Sequence, residues 1–218
     1  MYNIIEIFDT LEGEGLRSGM PTTFVRLYGC NLRCSYCDTQ YSFDDSITPM
    51  LMSLEQIIDK LNTTYKRVTL TGGEPLCAEN IELLIQAMCK AGFAVNIETN
   101  GAVDLQRFTN LRTDNDLNFM LSVDYKLPSS GMQNTMIEHN FDLVDKRDIV
   151  KFIVGSNADI VQMLQIINTH QLDHTTHIVI GVVHGKFNLQ DLSKHILQHP
   201  LLHNAKLQIQ LHKIVGIA

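Results

Sequence analysis

The stretch TTFVRLYGCNLRCSYCDTQ, residues 22–40, decides how this chain folds. Its first part, Thr22 to Gly29, is rich in β-branched and aromatic side chains, which predicts a buried strand. Three cysteines, Cys30, Cys34 and Cys37, follow at once. In parallel α/β sheets the ligand site lies where the strands end, at their carboxyl edge. The stretch therefore predicts a parallel sheet that carries its functional site on that edge.

The same arrangement recurs along the chain, because strand-like runs are followed directly by polar or glycine-rich residues. Further predicted strands are RVTL, FAVNIE, FMLSVD, DIVKFIVG, HIVIGVV and KLQIQLH. The segments that face the same rim as the cysteines are TGGEP, ETNG, VDYK and LHK. Predicted helices are SLEQIIDKL, which starts with a Ser53–Gln56 capping box, ENIELLIQAMCKAG, NADIVQMLQIINTH and NLQDLSKHILQH.

About seven strands and four helices are too few for a closed eight-unit barrel, which takes ~250 residues. We therefore predict an α/β fold, an incomplete TIM-like barrel of about six to seven mostly parallel strands with few helices. Residues 104–118, DLQRFTNLRTDNDLN, are polar enough to be a surface connection. No linker or internal repeat is found, so residues 1–218 are expected to form a single domain.

The composition of the 218-residue chain is that of an ordinary globular protein, with 44% hydrophobic residues. No apolar run approaches the ~18 residues of a membrane span, and MYNIIEIFDTLEGEG lacks the basic start of a signal peptide. We expect a cytoplasmic protein without membrane contact, in which clustered thiols bind metals or carry out redox chemistry. The net charge of −7, without a block of Lys or Arg, argues against nucleic-acid binding and favours a small-molecule substrate.

The C-x3-C-x2-C spacing of the cysteines suits three corners of a cubane iron–sulfur cluster and leaves the fourth iron open. An open iron can bind a ligand that carries both an amine and a carboxylate, as an amino acid does. The alternative is a structural zinc site, whose fourth ligand would be one of the nine histidines, Cys77 or Cys89. Cys77 and Cys89 are otherwise expected in packed positions.

The cysteine triplet, with Tyr36 before its last member and GGEP (Gly72 to Pro75) after the next strand, resembles the radical S-adenosylmethionine superfamily. The resemblance implies a [4Fe-4S] cluster that reduces S-adenosylmethionine and releases a 5′-deoxyadenosyl radical. It also implies that GGEP binds the methionyl amine of the cofactor. Glycines allow close backbone approach, and a carbonyl or carboxylate accepts from an ammonium group.

Within this superfamily, FDTLEGEG, FVRLYGCNLRCSYCDT, TGGEP, ETNG, YKLPSSGM and LQIQLHKIVGIA together resemble the family of the 7-carboxy-7-deazaguanine synthases. The resemblance implies a lyase of queuosine-type 7-deazapurine biosynthesis. Its reaction converts 6-carboxy-5,6,7,8-tetrahydropterin to 7-carboxy-7-deazaguanine by hydrogen abstraction, ring contraction and loss of ammonia. The implied cofactors are the cluster, S-adenosylmethionine and Mg²⁺. The implied partners are the pterin, an external electron donor of the flavodoxin or ferredoxin type, and a second copy of the chain in a homodimer.

The resemblance also assigns roles to individual residues. Cys30, Cys34 and Cys37 would bind the cluster, and Thr39 would bind Mg²⁺ through its hydroxyl, a ligand that suits this hard cation. The implied S-adenosylmethionine contacts are Tyr36, Cys37, Asp38, Gly73, Glu74, Asp124, Tyr125 and Lys126. The implied substrate contacts are Leu11, Glu12, Gly13, Arg26, Thr71 and the carboxylate of Ala218. Glu98 of ETNG either caps the rim or binds a ligand.

Three positions depart from the pattern of this family. Glu12 replaces a glutamine, although a carboxylate can also accept from the guanidine-like edge of a pterin. Where the family carries Ser-Pro-Lys, this chain carries Asp124, Tyr125 and Lys126, so that only Lys126 is matched. IGVVHG (residues 180–185) stands where some members carry Gln-Pro. The resemblance alone therefore does not establish the cofactor contacts of the last two segments.

Two other functions are compatible with parts of the sequence. A small radical activase, which generates a glycyl radical on a partner protein, would share the triplet and the short length but has no use for LEGEG or QLHK. A non-catalytic iron–sulfur or zinc protein would not need the GGEP segment. Cleavage of S-adenosylmethionine on reduction separates an enzyme from a mere electron carrier.

Overall fold

The structure is a computed structural model, and it describes residues 1–216, apart from the side chain of His212. Nine strands form one open sheet in the order β3-β1-β2-β4-β5-β6-β7-β8-β9. The strands are β1 (Tyr2–Leu11), β2 (Pro21–Leu27), β3 (Met50–Met52), β4 (Arg67–Gly72), β5 (Ala94–Thr99), β6 (Phe119–Tyr125), β7 (Ile149–Val154), β8 (His177–Val182) and β9 (Lys206–Leu207).

The parallel part of the sheet confirms the predicted incomplete barrel. Every pairing from β2 to β9 is parallel, which gives seven parallel strands in the described chain. The sequence analysis did not predict β1 and β3, which extend the sheet by antiparallel pairing at one edge. The β1 sequence lacks a clean polar–apolar alternation, because several of its side chains are only half-buried.

Eight helices connect or flank the strands within residues 1–216. They are α1 (Leu54–Ile58), α2 (Ile81–Lys90), α3 (Gln106–Asp114), α4 (Asn140–Leu143), α5 (Asn157–Thr169), α6 (Leu172–Thr175), α7 (Leu189–Gln198) and α8 (Leu211–Val215). The predicted capping box is present at α1, where the side chains and backbones of Ser53 and Gln56 bond reciprocally. Not one of the described helices combines the length and apolar character needed to cross a membrane.

The prediction of a surface connection at residues 104–118 was wrong, because this segment contains α3. The helix buries Phe108 and also Arg112, whose guanidinium lies 2.6 Å from Asp148 Oδ1. A polar residue on the inner face hides the amphipathic pattern from sequence analysis, since the periodicity test counts only apolar residues.

The prediction of a long final strand was also wrong. Only Lys206 and Leu207 pair as β9, and the chain then turns into α8. The backbone N–H of Leu211 donates to Gly13 O at 3.1 Å, and the Gly15 N–H donates to the Gln208 side chain at 2.8 Å. These bonds to the loop after β1 replace the bonds that a continued β-ladder would have supplied.

The core lies between the sheet and the helices that cover it, and its largest apolar members include Phe108, Phe141 and Phe152. Burial of each such side chain contributes roughly 1.5–3 kcal/mol of hydrophobic free energy. The opposite surface of the sheet carries polar side chains in register: Arg26 lies beside Thr71, and Asp124 lies beside Lys151. The parallel register therefore gathers chemically active groups on one side of the sheet.

Candidate active site

A cavity of about 640 Å³ opens at the carboxyl ends of the parallel strands. Its walls bring together every rim segment that the sequence analysis singled out. The lining residues from these segments are Cys30, Cys34 and Cys37, Gly72 and Gly73, Glu98 to Asn100, Asp124 and Lys126, and Lys213. The order of strands in the sheet produces this gathering, because parallel strands end on the same side.

The three cysteines form one wall of the cavity as half-buried free thiols. The Leu32 N–H donates to Cys30 Sγ at 3.4 Å, and Asn100 Nδ2 donates to the same sulfur at 3.8 Å. Burial raises the pKa of the Cys30 and Cys34 thiols, and the negative charge of their neighbouring thiolates raises it further. Such a set of thiols is stabilised when metal ions neutralise it.

The residues present fit a cubane cluster. Among the described side chains, which leave out that of His212, no three His, Cys, Asp or Glu groups converge on a point where one ion could bind them all. A cubane binds each thiolate through a different iron, so its ligands need not converge on one point. Gly73 packs against the loop so closely that a Cβ there would lie 2.6 Å from Cys30 Cβ and 2.3 Å from Gly29 O. Only glycine permits this approach.

Glu74 of the GGEP segment points into the protein and away from the cavity. Its carboxylate is almost fully buried and accepts from Leu76 N at 3.1 Å, Thr99 Oγ1 at 2.9 Å and Asn100 N at 2.6 Å. Burial raises the pKa of Glu74 to about 7, although these hydrogen bonds oppose the rise. The predicted cofactor contact through the Glu74 side chain is therefore not formed here, whereas Gly73 lines the cavity.

Tyr125 is also directed away from the cavity, contrary to its predicted cofactor role. Its ring is 2% exposed and packs in the core, 5.1 Å from the Phe141 ring and 5.9 Å from the Phe152 ring. The strand alternation explains this, because successive side chains of β6 point to opposite faces and its neighbours Asp124 and Lys126 take the cavity side.

Tyr36, Asp38 and Thr39 lie on the cavity wall beside the last cysteine. The Thr39 hydroxyl donates to Asp38 Oδ1 at 3.1 Å, and Lys213 Nζ lies 3.4 Å from Asp38 Oδ2. The wall therefore offers two hard oxygen groups side by side, a donor set that suits Mg²⁺.

The predicted substrate residues Leu11, Glu12, Gly13, Arg26 and Thr71 all line the other half of the cavity. Ala218 lies outside the described residues. Arg26 is not free, since its Nε donates to Glu6 at 2.7 Å and its guanidinium lies over the Tyr41 ring. The Thr71 hydroxyl donates to Glu98 Oε2 at 3.4 Å.

Glu12 is 1% exposed and accepts a short hydrogen bond from Thr69 Oγ1. Burial raises the pKa of Glu12 to about 7, and the nearby negative charge of Glu98 adds to the rise. The side chain is therefore a mixture of neutral acid and carboxylate near pH 7. It can both donate to a ligand and accept from one.

A charged group that the sequence analysis missed forms the floor of the cavity. Lys151 Nζ lies 3.2 Å from Glu14 Oε2, 3.3 Å from Asp124 Oδ1 and 3.4 Å from Glu98 Oε1. Burial alone lowers the pKa of Lys151, but the three carboxylates outweigh it and raise the pKa well above its usual value. The sequence did carry a signal, since a lysine inside the apolar run IVKFIV must find partners when it is buried.

Comparison with known proteins agrees with this geometry. The family model of the Radical SAM superfamily matches residues 24–197. A 7-carboxy-7-deazaguanine synthase of Clostridium acetobutylicum is 39% identical over 216 residues, which cover 98% of this chain and 96% of that protein. One from Methanospirillum hungatei is 38% identical over 216 residues and covers 98% and 85%. The crystal structure of QueE from Escherichia coli has the same fold, with a TM-score of 0.73 at 24% identity, covering 97% and 94% of the two chains.

Proposed function

Because the chain belongs to the radical S-adenosylmethionine superfamily and, within it, to the 7-carboxy-7-deazaguanine synthases, we propose that it converts 6-carboxy-5,6,7,8-tetrahydropterin to 7-carboxy-7-deazaguanine with loss of ammonia. The observation that carries this proposal is the likeness to the Clostridium acetobutylicum protein, which runs over 98% of the chain. The chain is thus a lyase of queuosine-type base biosynthesis that acts on a small molecule.

The superfamily implies a [4Fe-4S] cluster and S-adenosylmethionine. We assign Cys30, Cys34 and Cys37 as the cluster ligands. The cluster, when bound by these three thiolates, would supply the electron for reductive cleavage of S-adenosylmethionine. Gly73 lines the cavity directly beside the cysteine loop, and we assign its backbone as a contact of the methionyl amine. We assign Tyr36, Asp38 and Lys126 as further cofactor contacts on the same wall.

The substrate half of the cavity is rich in groups that accept hydrogen bonds. A pterin presents a guanidine-like edge of N–H donors, and carboxylates bind such an edge by strong, charge-assisted hydrogen bonds. Glu98 and Glu12 are placed for this role, with Leu11, Gly13 and Thr71 beside them. Ala218 is a further proposed substrate contact.

We propose that Mg²⁺ binds at Thr39. Its hydroxyl and the Asp38 carboxylate lie at the junction of the cysteine wall and the cavity. Mg²⁺ keeps waters and substrate oxygens in its shell and needs few protein ligands. At this place the ion would neutralise the carboxylate of the pterin.

Several properties of the whole protein belong to the same proposal. Residues 1–218 would form one radical SAM domain, since the described strands make a single sheet around a single core. The enzyme would take electrons from an external flavodoxin- or ferredoxin-like donor. It would work in the cytoplasm, where thiols remain reduced. A homodimer would cover the edge strand β3, on which Met50 is 49% and Leu51 61% exposed.

The decisive experiment is anaerobic turnover of the carboxypterin with reductant, S-adenosylmethionine and Mg²⁺. We expect 7-carboxy-7-deazaguanine and ammonia in equal amounts, with S-adenosylmethionine regenerated in each cycle. Cleavage of S-adenosylmethionine without any deazapurine product, together with a glycyl radical on another protein, would favour the activase instead.

A further inference from the structure

We propose that Lys151 is a positioning residue for the substrate: it holds Glu98 in place as the acceptor for the guanidine-like edge of the pterin. This inference rests on the function proposed above and adds a residue to which neither sequence nor family likeness gave a role. Lys151 lies on β7, in an otherwise apolar strand, and its side chain is 5% exposed.

The reach of Lys151 across the sheet is the first argument. It stands in register with Asp124 on the adjacent strand β6, and its ammonium continues to Glu98 on β5, one strand further. On the other side it contacts Glu14, in the loop after β1. One ammonium group thus contacts three chain segments that are distant in sequence. These contacts fix the positions of the three carboxylates relative to one another.

The use of its donors is the second argument. An ammonium has three N–H donors and no acceptor. Lys151 donates to Glu14 at 3.2 Å and to Glu98 at 3.4 Å, and Asp124 Oδ1 lies 3.3 Å away as an ion-pair partner without a hydrogen bond. Two donors are thus committed to carboxylates, and the side chain is only 5% exposed. Lys151 therefore acts on the substrate chiefly through its carboxylate neighbours.

The third argument identifies which neighbour faces the ligand. The second oxygen of Glu14 accepts from Gln210 Nε2 at 2.8 Å, and the second oxygen of Asp124 pairs with Lys126 Nζ at 2.7 Å. Glu98 differs, because both of its contacts, with Lys151 and Thr71, are 3.4 Å long and its side chain is 25% exposed. Of the three carboxylates, Glu98 keeps the most lone-pair capacity for a bound molecule.

The charge balance is the fourth argument. Glu98 shares the cavity with Glu12, Glu14 and Asp124, and like charges at short range repel one another. The Lys151 ammonium lies within 3.4 Å of three of these carboxylates and offsets the repulsion. Without the ammonium, Glu98 would be displaced from the position in which it faces a ligand.

The test compares Lys151→Met, Lys151→Arg and Glu98→Gln with the wild type, each with its cluster reconstituted anaerobically. Lys194→Met is the matched control, because Lys194 is an exposed lysine whose partner Asp191, at 2.7 Å, lies on α7 away from the cavity. We expect Lys151→Met to raise the KM for the pterin about tenfold or more. Iron content and reductive cleavage of S-adenosylmethionine should stay within about twofold of wild type. Lys194→Met should match wild type in every measurement.

A double-mutant cycle shows whether Lys151 works through Glu98. If it does, Glu98→Gln together with Lys151→Met should be no worse than the more damaged single variant. Additive losses, or a pterin KM unchanged in both Lys151 variants, would overturn the proposal. If Lys151→Met does not fold, the same cycle is run with Lys151→Arg, which keeps the charge but not the geometry of a compact ammonium.

The outcomes also separate this inference from the proposed function. A wild-type protein that makes no deazapurine contradicts the proposed function, and equilibrium dialysis of the pterin against the same variants then still tests Lys151. A productive wild type whose Lys151 variants bind the pterin normally contradicts the inference alone.

Discussion

The Glu12→Gln variant should be more stable than the wild type at alkaline pH and equally stable at acidic pH. Glu12 is almost fully buried, and burial together with the charge of Glu98 raises its pKa to about 7 from an ordinary value of 4.5. Between these two values the folded state binds a proton that the unfolded state has released. The stability contributed by this proton is therefore complete below pH 4.5 and is lost as the pH rises through 7.

The size of the effect follows from the shift. Each pKa unit corresponds to about 1.4 kcal/mol, so the rise of the Glu12 pKa from 4.5 to about 7 costs up to about 3.5 kcal/mol of stability above pH 7. Glutamine is neutral at all of these pH values and can still accept from Thr69. For a chain of this size, 1 kcal/mol moves the melting temperature by roughly 2–4 °C. We expect Glu12→Gln to melt roughly 7–14 °C above wild type at pH 8 and within about 2 °C of it at pH 4.5.

The assay is thermal unfolding of cluster-loaded wild type and variant at a series of pH values under anaerobic conditions. Glu74→Gln is the control, because its pKa is also raised to about 7 but its carboxylate accepts three hydrogen bonds. An amide would turn its NH₂ group toward one of these donors, so Glu74→Gln should be less stable than wild type at every pH. If the melting temperatures of Glu12→Gln and wild type change with pH in parallel, Glu12 is ionised throughout and the reasoning is refuted.

The remaining predictions concern the cofactors and the cavity. Cys34→Ala should lose the cluster and Cys89→Ser should keep it, as measured by iron content after reconstitution; full loading in the former would contradict the ligand assignment. Thr39→Ala should weaken the stimulation of turnover by Mg²⁺ severalfold without stopping cleavage of S-adenosylmethionine, and an unchanged Mg²⁺ titration would remove Thr39 from the metal site. Gly73→Ala should prevent cluster loading. Gly181→Ala is the control and should be tolerated, because its nearest contact for a Cβ is the flexible tip of the Ile153 side chain at 3.2 Å. Equal iron contents in the two variants would show that the close approach at Gly73 is not needed.

The sequence was sufficient to predict the parallel part of the sheet and the place of the site. Each parallel strand is an apolar run that ends in a group of polar or glycine residues. The strands and the site residues that follow them could therefore be recognised from short segments of the sequence. Gly73 and the cysteines were recognisable for the same reason, since their roles depend on neighbours in the chain. The structure then placed them on one cavity wall.

Features that depend on contacts between distant segments could not be predicted in this way. The Lys151 network requires β5, β6 and β7 to lie side by side, and the loop of Glu14 to fold back over them. Helix α3 was missed because its buried Arg112 is stabilised by Asp148, a partner 36 positions along the chain. Tyr125 and Glu74 were assigned to the site because they belong to segments that match the family. Their side chains point away from the cavity, because adjacent side chains of an extended chain face opposite ways.

The bonds between residues 13–15 and residues 208–211 bear on which part of the cavity is lost first when the fold loosens. Gly15 bonds to Gln208 and Glu14 to Gln210 across 193 and 196 positions of the chain, and residues 12–14 form part of the cavity wall. Contacts that close so long a loop cost more conformational entropy than contacts between near neighbours. Detachment of residues 208–211 would therefore free the loop after β1 and open the substrate half of the cavity, while the bond from the Glu74 N–H to Gly29 O beside the cysteines stays in place.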